Sequence, residues 1–156
     1  MARDATARLY DVDADNVGLE IKTGTITFRA KKGRLVDLDK LHESIWATRL
    51  SGKTGMAMNW IDVTAVGEVV RDQTQPRLKV SGTNQYFVLA EDTKATRKTN
   101  EKTPFARLQE ALGRGEKVVS VTGRVEGWGG HFPDFLKTLP KKPLVILVKE
   151  FEVAKH

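Results

Sequence analysis

The stretch Ile61-Asp62-Val63-Thr64-Ala65-Val66-Gly67-Glu68-Val69-Val70-Arg71 alternates β-branched and polar residues, with one glycine inside. Such a run reads as a long strand, and an interior glycine usually marks a bend or bulge. The expectation is one long strand bent at Gly67. Asp72-Gln73-Thr74-Gln75-Pro76 then reads as a turn. Arg77-Leu78-Lys79-Val80-Ser81-Gly82 and Gln85-Tyr86-Phe87-Val88-Leu89-Ala90 read as a hairpin across Thr83-Asn84. Residues 91–102 form a polar, charged connection with no apolar anchor. Pro104 suits a helix start behind Thr103 as cap. Phe105, Leu108 and Leu112 fall at helical spacing, and Gly113 to Gly115 end the helix. Two more strands follow, over 118–127 and 144–153. The order is strand, strand, strand, helix, strand, strand.

Upstream, residues 1–17 are polar. Asp11, Asp13 and Asp15 alternate as in a calcium loop, but Asn16-Val17-Gly18-Leu19 does not supply that loop's glycine and distal glutamate at the required positions. A solvated turn is the reading. Leu19-Glu20-Ile21-Lys22 and Thr25-Ile26-Thr27-Phe28-Arg29-Ala30 flank Thr23-Gly24, which signals a β-hairpin. Asp37 is a good N-cap, and Leu38, Leu41 and Ile45 then recur at helical spacing to about Leu50.

The 156 residues suffice for one ordinary domain or two very small ones. No apolar run approaches the roughly 20 residues that a membrane helix needs, and a mean hydropathy of −0.38 is that of a soluble protein. The start as it stands begins no signal peptide, so a soluble, cytoplasmic chain is expected, or an exported one if a leader has been removed. The 26 cations against 20 anions give a net charge of +6, a moderate excess that favours anionic partners weakly. There are no cysteines, which excludes disulfides, thiolate nucleophiles and thiolate zinc sites.

From Trp60 onward the element order is that of an OB-fold, a five-stranded Greek-key barrel. Val63-Thr64-Ala65-Val66-Gly67-Glu68-Val69-Val70 and Val119-Ser120-Val121-Thr122-Gly123-Arg124-Val125-Glu126-Gly127 resemble OB-fold strands of nucleic-acid-binding and related proteins. Upstream, Thr23-Gly24-Thr25-Ile26-Thr27-Phe28-Arg29-Ala30 followed by Val36-Asp37-Leu38-Asp39-Lys40-Leu41-His42-Glu43-Ser44-Ile45 resembles the second half of a heavy-metal-associated, ferredoxin-like domain. That family's Cys-x-x-Cys metal loop is absent, so its copper or zinc chemistry does not carry over. The expected fold class is α+β: a five-stranded OB-like β-barrel with one helix between strands 3 and 4, plus an N-terminal β-hairpin and helix. The expected division is 1–54, a partial ferredoxin-like unit, and 55–156, the barrel.

Two candidate sites follow. If Gly55-Met56-Ala57-Met58-Asn59-Trp60 is extended, Met56, Met58 and Trp60 share a face. Two thioethers beside an indole suit a soft ion such as Cu(I) or Ag(I). The stretch has some similarity to the Met-and-Trp site of periplasmic copper chaperones with an OB-fold, with the tryptophan placed after the methionines instead. Core packing is the plainer use of such a face. The second site follows from the OB-fold resemblance, because such barrels bind on the face of strands two and three and the loops beside it. Arg77, Lys79 and Tyr86 would lie on that face. The loop 128–143 would lie at its edge, with Trp128, His131 and Phe132 to stack on bases and Lys137, Lys141 and Lys142 to meet phosphates. Two readings of the loop stand side by side, ligand binding and closure of the barrel end by Phe132, Phe135 and Leu139.

Catalytic motifs are missing. Gly127, Gly129 and Gly130 lack the Lys-Ser/Thr sequel of a phosphate loop. His42, His131 and His156 lie in no metal-binding or nucleophile motif. The expectation is a non-catalytic binding protein, related to metal handling or binding single-stranded nucleic acid. Its partner would be a soft metal ion, a single strand or another protein.

Overall fold

The computed structural model describes residues 18–20, 25–27, 37, 40–41, 60–71, 75–94, 100–126 and 144–154, with the backbone alone at 19, 20, 25, 26, 60 and 126. The chain divides into two compact units, Met1–Asn59 with Trp128–Pro140, and Trp60–Gly127 with Lys141–His156.

In the first unit, β1 (Gly18–Glu20) and β2 (Thr25–Thr27) pair antiparallel, with Leu19 opposite Ile26. This is the hairpin expected around Thr23-Gly24. A helix starts where the sequence placed it. The Asp37 Oδ1 accepts from the Lys40 N–H at 3.0 Å, and its carbonyl accepts from the Leu41 N–H at 3.0 Å. Side-chain capping of this kind satisfies an otherwise orphaned N–H. Leu41 is buried.

The second unit is a closed barrel. Its strands are β3 (Trp60–Arg71), β4 (Pro76–Val80), β5 (Tyr86–Glu91), β6 (Val118–Glu126) and β7 (Leu144–Val153), in the order β3-β4-β5-β7-β6 and back to β3. Every pairing is antiparallel except β5 with β7. A parallel pair requires a crossover connection. Here that connection carries helix α1 (Pro104–Gly113) and β6. The chain therefore has the OB-like barrel that its element order predicted, with one helix between the third and fourth barrel strands.

Alternation decides what fills the barrel. Along β3, Ala65, Gly67 and Val69 are buried, while Asp62, Thr64, Val66, Glu68 and Val70 are exposed. Opposite them stand Val121, Val119 and Leu78, all buried. A five-stranded barrel has room for side chains only. Leu78, Leu89, Val119, Val121, Val125, Ile146 and Val148 fill it. Pro76 is the first residue of β4 rather than the last of the preceding turn. A proline is tolerated there because the first strand position can forgo an N–H donor.

Helix α1 packs against β5 and β7. Thr103 caps it, its Oγ1 accepting from the Ala106 N–H at 3.1 Å, and Pro104 opens the first turn. Such a cap contributes about 1 kcal/mol. The buried stripe is Leu108 and Ala111, with Phe105 and Leu112 half-buried beside it. Lys102 hydrogen-bonds the Glu110 carboxylate and holds its pKa below the usual carboxylate range. Among the described residues no helix is long and apolar enough to cross a membrane.

Candidate binding face

The outer surface of the barrel has two contrasting regions. Across β3, β6 and β7 it is polar and internally bonded. The Thr64 and Thr122 hydroxyls hydrogen-bond at 2.8 Å. Asp62 accepts from Arg124 Nε at 3.2 Å and from Lys149 Nζ at 3.2 Å. Lys149 reaches Asp62 because of a register shift. Thr122 stands opposite Glu150 and Gly123 opposite Val148, which leaves Lys149 as the extra residue of a bulge. A bulge keeps Val148 and Phe151 on the inner face while Lys149 and Glu150 share the outer one.

The second region spans the C-terminal half of β3 with β4 and β5. Leu78 points inward, so its neighbours Arg77 and Lys79 point outward. The register aligns two outer rows. One is Val118, Glu68, Lys79 and Tyr86, on β6, β3, β4 and β5. The other is Val70, Arg77 and Val88, of which Val88 is buried. Directly opposed side chains in such rows have Cβ atoms about 4.5–5.5 Å apart. Tyr86 is 43% exposed, Val66 48%, Val70 43% and Val118 36%. These are the exposed large hydrophobic residues among those described, and all four surround the Glu68–Lys79 pair. The Glu68, Lys79 and Tyr86 side chains carry no hydrogen bond or ion pair among the described residues.

Arg77, Lys79 and Tyr86, singled out from the sequence, thus lie together on one outer face. Arg77 and Lys79 are half-buried. Val66, Glu68, Val70 and Val118 belong to the same face and were not singled out. For the three on β3 the local signal is mixed, because apolar residues occupy both parities from Ala65 to Val70. Only the small inner residues Ala65 and Gly67 tell which parity faces in.

Met56 and Met58 lie outside the described residues. Trp60 is placed by its backbone, as the first residue of β3 opposite Glu126. Trp128, His131, Phe132, Lys137, Lys141 and Lys142 also lie outside the described residues, within the connection from β6 to β7. Among the described residues no group of three His, Cys, Asp or Glu side chains is placed to hold a metal ion. Comparison with known proteins found no matching family model, no matching curated protein and no matching solved structure.

Proposed function

We propose that the barrel is a non-catalytic module that binds single-stranded nucleic acid on the outer face of β3, β4 and β5. The observation that carries this reading is Tyr86, 43% exposed, standing directly beside Lys79 in one cross-strand row, with Arg77 on the same face of β4. An exposed ring stacks on any base, and the adjacent cations meet the backbone phosphates. Val70 and Val66 add flat apolar surface for a second base.

Fluorescence anisotropy of a labelled single-stranded oligonucleotide tests the reading. Binding is expected to weaken steeply as salt rises. Tyr86→Ala is expected to lose about 1–3 kcal/mol of affinity, the usual contribution of one stacked base. An oligonucleotide that fails to bind even at low salt would contradict the proposal.

A second reading, an accessory role in handling a soft metal, draws on the β1–β2 hairpin followed by the Asp37-capped helix start. That is the element order in which the chain resembles a heavy-metal-associated half-domain. Met56, Met58 and Trp60 would hold Cu(I) or Ag(I). Ag(I) is then expected to quench tryptophan fluorescence, and Met58→Ala to abolish the quenching. Fluorescence unchanged by Ag(I) would exclude it.

A further inference from the structure

Glu68 is the one carboxylate among residues 66–70, 77–79 and 86, on a face that otherwise offers cations and apolar surface. Four side chains adjoin it. Val66 and Val70 lie two residues away on the same outer side of β3, about 6.8 Å along the strand in each direction. Val118 of β6 and Lys79 of β4 stand directly opposite it on the neighbouring strands, with Cβ atoms about 4.5–5.5 Å away. Val66, Val70 and Val118 are 48%, 43% and 36% exposed. Each of the four is a nearest neighbour of Glu68, so the curvature of the barrel does not carry them apart. Glu68 is itself exposed and carries no hydrogen bond or ion pair among the described residues, although its strand pairs directly with that of Lys79.

A carboxylate is costly on a surface that meets phosphates. It repels the groups that Arg77 and Lys79 attract, and it accepts hydrogen bonds but donates none. It therefore contributes to binding only where the ligand presents donors. The unpaired bases of a single strand present theirs on the Watson–Crick edge. Guanine alone among the four bases has two adjacent donors there, N1–H and the N2 amino group, spaced to meet both oxygens of one carboxylate. Adenine and cytosine each present one amino group beside an acceptor nitrogen. Thymine presents one N–H between two carbonyls. In those three bases an acceptor opposes the second carboxylate oxygen. The exposed valines shield such a contact from water, which strengthens its hydrogen bonds.

We infer, resting on the single-strand reading of this face, that Glu68 selects guanine at one position of the bound strand. The base rests on the valines around Glu68 with its Watson–Crick edge toward the carboxylate, and Lys79 meets an adjoining phosphate.

Fluorescence anisotropy of thymine oligonucleotides carrying one central substitution tests the selection. The strand with guanine is expected to bind at least about tenfold more tightly than those with adenine, cytosine or inosine. Inosine keeps N1–H and lacks only the N2 amino group, so it isolates the second hydrogen bond. Replacing N7 of the guanine by carbon alters the opposite edge and is expected to leave the affinity unchanged. Glu68→Gln turns one acceptor oxygen into an amide donor at nearly the same shape. It is expected to bring the guanine and adenine strands within about twofold of each other. The all-thymine strand is expected to bind this variant equally or more tightly, because the repulsion of its phosphates is removed. Circular dichroism checks that the barrel of the variant is intact. Strands that bind without regard to the central base would overturn the selection and leave the single-strand reading standing. A guanine preference that survives Glu68→Gln would overturn the role of Glu68. If no strand binds even at low salt, the single-strand reading itself falls, and the selection with it.

Discussion

Gly67→Ala is expected to abolish the folded barrel or destabilise it by at least about 3 kcal/mol. A Cβ at position 67 would lie 1.9 Å from the Lys79 carbonyl oxygen, 2.7 Å from its carbon and 3.1 Å from the Val80 Cα. These are backbone atoms of a paired strand and cannot swing aside as the end of a long side chain can. Gly67 pairs with Val119 of β6 on one side and with Val80 of β4 on the other. Moving β3 away from Lys79 therefore disturbs both ladders at once. Gly113→Ala is the control, since a Cβ there meets nothing within 4 Å and alanine favours the helix. Urea unfolding followed by circular dichroism should show a collapsed or sharply lowered midpoint for Gly67→Ala and an unchanged or slightly raised one for Gly113→Ala. An unchanged midpoint for Gly67→Ala would mean that β3 and β4 do not approach as described.

Leu108→Ala is expected to cost about 2–5 kcal/mol, the range for a large-to-small change in a packed core. Leu108 is fully buried, on the face of α1 that also buries Ala111. The helix has β5 and β7 as its packing partners, so the cavity would open where α1 meets the barrel wall. The cap and the first-turn proline remain in Leu108→Ala, so the loss reports packing rather than helix formation. Arg107→Ala, on the exposed side of the same helix, is expected to stay within about 0.5 kcal/mol. Equal effects at the two positions would mean that α1 does not pack on the barrel through Leu108.

Much of the barrel was legible because its local signals agree with one another. The alternation from Ile61 to Arg71, the Thr103–Pro104 start, and the valine-rich runs over 118–126 and 144–153 each point to the element observed. Their order alone pointed to the barrel. Strand bounds at Pro76 and Tyr86 were less legible, since they depend on which backbone groups the neighbouring strand engages. The Lys149 bulge has no local signal. It falls at the Thr122/Gly123 step of β6, where a Cβ on Gly123 would meet the Leu147 carbonyl oxygen at 2.2 Å. That approach is a tertiary fact.

The candidate face was legible only in part, for a related reason. Arg77, Lys79 and Tyr86 stood out by residue type, and the inward Leu78 between the two cations set their direction. Glu68 and Val118 join them through long-range register, Glu68 opposite both Lys79 and Val118. No spacing along the chain encodes that neighbourhood. A row with one anion between apolar and cationic residues is invisible until the strands are aligned.

The central claim is that the ligand face of this barrel lies on β3, β4 and β5. Amide chemical shifts in a 15N-labelled sample, followed during titration with a single-stranded oligonucleotide, test it most directly. The expected result is a set of shifts concentrated at Val66 to Val70, Arg77 to Lys79 and Tyr86. Shifts confined to Thr64, Thr122 and Glu150 on the polar region across β3, β6 and β7, or no shifts at all, would contradict it.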